Sequence, residues 1–112
     1  VLQYAQFDPN VLIGNNNFFF NGVSISHNTK IGNSNYFASN CTIGGNTTIG
    51  NNCFFGINST ILNNLKLSNR VFVGANSFVN KNLKTKSVVI ANPDKVLDYN
   101  SDKFLKIIDN NY

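Results

Sequence analysis

Between Val11 and Asn82 the sequence contains no acidic side chain. Glutamate is missing altogether, and the five acids, Asp8, Asp94, Asp98, Asp102 and Asp109, all lie outside that stretch. Six cations fall inside it or just beyond its end: Lys30, Lys66, Arg70, Lys81, Lys84 and Lys86. A basic stretch without acids, in a chain of net charge +4, favours an anionic partner; plain solubility is the alternative. Histidine occurs once, as His27. A lone histidine cannot build a metal site by itself, and no Walker, Rossmann or zinc spacing is present. No apolar run is long enough to span a membrane, and no secretory leader is visible. The initiator Met is also missing, which suits a piece of a longer protein. Neither a nucleic acid nor a membrane is expected as partner. Two cysteines argue against an oxidised scaffold and for a reducing, cytoplasmic setting.

What is present is a six-residue period running unbroken from Val11 to Asn82. The third place of every unit is large and apolar, from Ile13, Phe19 and Ile25 through to Leu67, Val73 and Val79. The fourth place is mostly small, as in Gly14, Gly32, Ala38, Gly44, Gly50, Gly56 and Gly74. The sixth is Asn in most units, from Asn16 and Asn28 to Asn76 and Asn82. Strand side chains alternate, so the third residue points inward and its neighbours outward. Asn tolerates the left-handed backbone that a tight corner requires, which makes the sixth place the corner. A fixed period of this kind specifies a solenoid of parallel β-coils.

At 112 residues one domain is expected, with a lead-in over 1–10, repeats over 11–82, and a last strand and C-terminal cap over 83–112. Tyr4 and Phe7 are expected to cover the open end of the first coil. The frame fails after Asn82, where Thr85 occupies an apolar place. Val88-Val89-Ile90 reads as a final strand. Ser101 reads as the N-cap of a short helix with Phe104, Leu105 and Ile108 on one face, closing the last coil.

The aliphatic residue, Gly, two variable residues and small residue of the repeat resemble the hexapeptide-repeat acyltransferases. The likeness is strongest to the branch that acetylates nucleotide-linked amino sugars, with its sialic-acid O-acetyltransferase relatives. The resemblance implies an all-β fold, a left-handed parallel β-helix of about four triangular coils with three units to a coil. Residues eighteen apart then stack. Cys41 and Cys53, two units apart, fall on different faces and cannot pair. The second face carries Phe18, Tyr36, Phe54 and Phe72 outward, an apolar row that points to a subunit interface, and the resemblance implies a homotrimer. In the related sugar enzymes a nucleotide-sugar-binding βαβ domain precedes this point, and this sequence lacks it. Ala91-Asn92-Pro93-Asp94-Lys95 resembles the family's Gly-Asn-Pro-Ala-Lys segment, with Ala91 and Asp94 as departures.

Ile25 to Gly32 resembles the segment that carries the family's catalytic histidine. The resemblance makes His27 the general base in acetyl transfer from acetyl-CoA to an amino sugar. The alternatives are O-acetylation of a sugar hydroxyl, or a non-catalytic β-helix serving in assembly or binding. Gly45, one coil beyond His27, is the place where the family admits the thioester to the backbone. Asn28 is expected to accept from an imidazole N–H in place of the carboxylate that the family often sets there. The remaining cofactor positions implied are Asn63, Ala75, Lys81, Lys84 and Lys86, the lysines facing the phosphates. No metal is expected.

Overall fold

The computed structural model describes residues 1–92 and 98–110. Its strands are all two residues long, because the chain must turn a corner every six residues. Every third strand pairs in parallel, so three sheets stand as the three walls of a left-handed β-helix of about five turns. The hydroxyl face holds β1 (Gln6–Phe7), β4 (Ser24–Ile25), β7 (Thr42–Ile43), β10 (Thr60–Ile61) and β13 (Phe78–Val79). The basic face holds β2 (Leu12–Ile13), β5 (Lys30–Ile31), β8 (Thr48–Ile49) and β11 (Lys66–Leu67). The aromatic face holds β3 (Phe18–Phe19), β6 (Tyr36–Phe37), β9 (Phe54–Phe55), β12 (Phe72–Val73) and β14 (Val88–Val89).

The corners form as the sequence predicts. The sixth place has φ between 56° and 72° at every unit from Tyr4 to Asn76, including Gly22, Ser34 and Arg70 where Asn is replaced. That backbone is the left-handed region, which Asn and Gly enter at least cost. The third-place residues fill the axis. Phe19, Phe37 and Phe55 stack face to face at 4.7 and 4.8 Å, with planes within 7°. Ile25, Ile43 and Ile61 are likewise buried. Cys41 and Cys53 are free, buried, and on different faces, as expected. Burial pushes the Cys41 thiol up to about 12, only partly offset by the Ser59 hydroxyl, and raises Cys53 as well. Neither supplies a thiolate near neutral pH.

Five turns rather than four arise because both ends add to the repeat. Residues 5–10, expected as a lead-in, are a complete unit: β1 pairs with β4 eighteen residues on, and Asn10 takes the corner at φ 64°. Pro9 fits there because only its carbonyl is used, accepting from the Asn28 N–H at 3.2 Å. Phe7 packs edge-on against Phe19 at 4.9 Å. Tyr4 covers nothing; it is itself a corner residue and stands 87% exposed.

At the other end the last coil is shorter. Leu67 pairs with Leu83 and Phe72 with Val88, sixteen residues apart instead of eighteen. The two residues are lost between Val79 and Leu83. Asn82 therefore leaves the left-handed region, Lys86 takes the next corner at φ 66° in place of Val88, and Leu83 fills the inward place due at Thr85.

The C-terminal helix α1 spans Ser101–Asn110. Its cap is Asn100 rather than Ser101: the Asn100 Oδ1 accepts from the Lys103 N–H at 3.1 Å. None of its residues is buried, and Phe104 and Leu105 stay 44% and 55% exposed. Of the segment Ala91 to Lys95, residues 93–95 lie outside the described residues.

Candidate active site

His27 stands at the corner where the chain passes from the hydroxyl face to the basic face, between β4 and β5. The fold stacks Gly45, Asn63 and Lys81 on the same corner, one, two and three coils further on, since paired residues are eighteen apart. The imidazole lies flat on Gly45. A Cβ built there would come within 2.8 Å of both Cε1 and Nε2 of the ring. Gly45 has no positive φ, so it is glycine for space alone. The ring covers it, and Gly45 is buried while His27 and Asn28 are exposed.

The backbone differs between corners in a way that matters here. Where the basic face meets the aromatic face, each fifth-place N–H is capped by an asparagine one coil on. Asn15, Asn33 and Asn51 donate to the Oδ1 of Asn33, Asn51 and Asn69 at 2.7, 2.7 and 2.8 Å. On the His27 corner no such ladder exists, and the Gly45 N–H makes no hydrogen bond in the structure. By register with the capped corner, that N–H points along the axis toward the Asn63 coil. An unsatisfied donor beside a solvent-facing imidazole is the arrangement that stabilises a developing oxyanion.

Asn28 faces the ring differently from expectation. Its amide nitrogen, not its oxygen, is 3.3 Å from Nδ1. In that arrangement Nδ1 accepts and Nε2 carries the hydrogen. Turning the amide over presents Oδ1 to an Nδ1–H and frees Nε2 as a base.

Three residues of this region were not legible one at a time. Asp8 is eighteen residues before Ser26, and the β1–β4 register sets it one coil below, at the same corner as His27. Its Oδ1 accepts from the Gln6 Nε2 at 3.3 Å and does not reach His27. The offset of eighteen would have found it, had the repeat been started at Ala5. Lys66 and Ser87 emerge only with the shortened coil. That coil opens a hollow of about 510 Å³, lined by Lys66, Ser68, Lys81, Asn82, Leu83, Lys84 and Ser87. Lys81 and Lys84 thus come together as expected. Lys86 does not line the hollow; it sits at the capped corner. Ala75 also stands apart, on the corner between aromatic and hydroxyl faces, where its N would lie 2.5 Å from a Cβ on Gly56.

A family model, the bacterial transferase hexapeptide of six repeats, matches residues 10–45, the stretch that holds His27 and Gly45. Solved structures share the hexapeptide β-helix. Serine acetyltransferase isoform 3 of Entamoeba histolytica, in complex with cysteine, superposes with a TM-score of 0.72 at 23% identity, over 89% of this chain and 38% of that one. PerB of Caulobacter crescentus, in complex with CoA and GDP-perosamine, gives 0.55 at 18% identity, over 76% of this chain and 50% of that one. A substituted form of AntD, an N-acyltransferase of Bacillus cereus in complex with dTDP and coenzyme A, gives 0.50 at 14%, over 96% and 90%. The chain spans half or less of the length of the first two. At these identities the likeness is one of fold. No curated protein matches the sequence. Among the described residues no group of three or more His, Cys, Asp or Glu could hold a metal, and no helix is long and apolar enough to cross a membrane.

Proposed function

We propose that the chain is an acetyl-CoA-dependent acetyltransferase that N-acetylates an amino sugar, nucleotide-linked, and works as a homotrimer in the reducing cytoplasm. The observation that carries this is His27 lying on Gly45, with the unbonded Gly45 N–H beside it and a corner line running on to the lysine hollow. The sugar acceptor is supported by the sugar in the PerB complex; the serine acetyltransferase fold keeps an amino-acid acceptor in the screen.

Acetyl-CoA, when bound, supplies the acyl group as a thioester. With the Asn28 amide turned so that its Oδ1 accepts from Nδ1–H, His27 Nε2 takes the proton that the acceptor amine loses as its nitrogen bonds to the acyl carbon. It returns that proton to the sulfur as the carbon–sulfur bond breaks. The Gly45 N–H donates to the carbonyl oxygen as charge develops there. Lys66, Lys81 and Lys84 fit a polyphosphate, because three lysines line one hollow with no acid among its lining residues. Lys81 is two coils beyond Gly45, on the order of 10 Å at the strand spacing.

The direct test is mass spectrometry of products from acetyl-CoA and a panel of amino sugars, their nucleotide derivatives and serine. An acetylated amino sugar supports the reading, and transfer to none of them overturns it. Cofactor placement has its own test. Each exposed charge contributes about 0–1 kcal/mol, so the triple change Lys66→Gln, Lys81→Gln and Lys84→Gln is expected to weaken acetyl-CoA binding several-fold by calorimetry and to flatten its salt dependence. Unaltered binding places the phosphates elsewhere.

The aromatic row is the surface assigned to assembly. Tyr36, Phe54 and Phe72 stack at 5.1 and 5.0 Å, and Phe18, Tyr36 and Phe72 are 61%, 37% and 43% exposed on the single chain. Stacked rings show their edges outward, so the row is an apolar ridge suited to packing rather than a platform for a sugar ring. Light scattering is expected to give three chains for the parent and one for Phe54→Lys. A monomeric parent removes the trimer.

A further inference from the structure

The three walls of the β-helix differ in charge. The outward row of the hydroxyl face is Gln6, Ser24, Thr42, Thr60 and Phe78, and that of the aromatic face is aromatic up to β14. All six cations of the repeat region lie on the basic face or on the two corners that bound it. Lys30 and Lys66 point outward from β5 and β11, Lys81 is on the His27 corner, and Lys84 follows Leu83. Arg70 and Lys86 are on the capped corner. Lysines kept only for solubility have no reason to choose one wall of three.

Lys66, Lys81 and Lys84 share the hollow assigned to the cofactor. Lys30 does not. It belongs to the coil of the base, three residues after His27, and three residues of chain reach at most about 11 Å. The register sets it between Leu12 and Thr48 in the outward row, two coils from Lys66, roughly 10 Å. It is exposed, and among the described residues its ammonium has no acid partner and makes no hydrogen bond. Asp8, the one acid on the described β-helix, is engaged by Gln6. The base therefore has a free cation about one sugar ring away, on the wall that borders its corner and clear of the cofactor hollow.

We propose that Lys30 binds an anionic group of the acceptor, so that the substrate is an acidic sugar whose charge lies about one ring from the reacting nitrogen or hydroxyl. This deepens the acetyltransferase reading and rests on His27 as its base. The recognising chemistry is an ammonium on an oxyanion. Two sources supply it: a phosphate at the anomeric carbon, as in a sugar phosphate or nucleotide sugar, and a carboxylate carried by the sugar itself. The lack of aromatic side chains along the outward row of the basic face argues against a stacked nucleobase as the group read there.

The experiment compares a neutral amino sugar, its 1-phosphate, its nucleotide derivative and an amino uronic acid, each with the parent, Lys30→Gln, Lys30→Arg and Lys103→Gln. The parent is expected to prefer an anionic acceptor over the neutral one by about tenfold or more in kcat/KM. Lys30→Gln should abolish that preference through KM rather than kcat, Lys30→Arg should restore most of it, and Lys103→Gln, on the helix, should leave it alone. Which anionic acceptor loses most in Lys30→Gln tells phosphate from carboxylate. An unchanged preference in Lys30→Gln, or an equal loss in Lys103→Gln, overturns the assignment. Calorimetric binding of the same acceptors gives a readout without turnover. Acceptor binding that ignores Lys30 defeats this inference alone, whereas absence of transfer to every acceptor, with Lys30-dependent binding intact, defeats the acetyltransferase reading alone.

Discussion

Replacing His27 with alanine is expected to lower acetyl transfer by about 100-fold or more, the usual scale for losing a general base, and to leave the fold untouched. The two halves of that expectation have separate causes. The imidazole is exposed and contributes nothing to the axis of the helix. What the coil above needs from residue 27 is its carbonyl, which accepts from the Asn46 N–H at 2.9 Å and is unchanged by the substitution. The loss should appear in kcat, because proton removal belongs to the transition state and not to ground-state binding. Acetyl-CoA affinity and the thermal midpoint should stay near the parent values. Turnover within a few-fold of the parent in a folded variant removes His27 from the mechanism; a large drop in the midpoint would instead make the loss a structural one.

Phe37→Ala is expected to cost about 3–5 kcal/mol, a large share of the roughly 5–15 kcal/mol that holds a domain of this size together. Phe37 is fully buried, with the rings of Phe19 and Phe55 at 4.7 and 4.8 Å on either side. Each coil touches only its neighbours, so no other part of the core can move in to fill the gap. The cavity also breaks the aromatic column in its middle, separating the coil that carries His27 from the coils that follow. Phe78→Ala, on the outward row of the hydroxyl face and 59% exposed, removes a similar side chain from the outside and provides the contrast. Denaturant melts of the two should separate clearly. Midpoints that fall together would mean that the inward column does not dominate stability.

The corners and the axis were legible because one residue type answers one physical demand at a fixed place. Asn at the sixth place meets the φ near 60°, and an apolar third place meets the interior, so the coils and their corners follow from counting, while the three walls and the offset of eighteen came with the family resemblance. The ends were harder. Residues 5–10 keep Phe7 and Asn10 in frame, but Pro9 reads as a strand breaker unless one knows that this corner uses only its carbonyl. The missing two residues before Leu83 change no residue type; they show only as a slipped count, so the hollow they open had no signature beyond its lysines. For the site, the stacking of Gly45 on His27 follows from the offset of eighteen, and the structure adds why it must be glycine. The orientation of the Asn28 amide is a rotamer choice, and no sequence pattern encodes it.

The shortened fifth turn has a consequence for life in a crowded solution. A β-helix ends in unpaired strand edges, and an exposed edge is a template on which another copy can add. Continuous end-to-end growth requires the top turn of one molecule to match the bottom turn of the next. Here the turns through β1 to β4 advance eighteen residues, while the last advances sixteen. The loss of two residues thus sets this edge two residues out of step with an eighteen-residue turn, the counterpart here of the bulges that interrupt the edges of flat sheets.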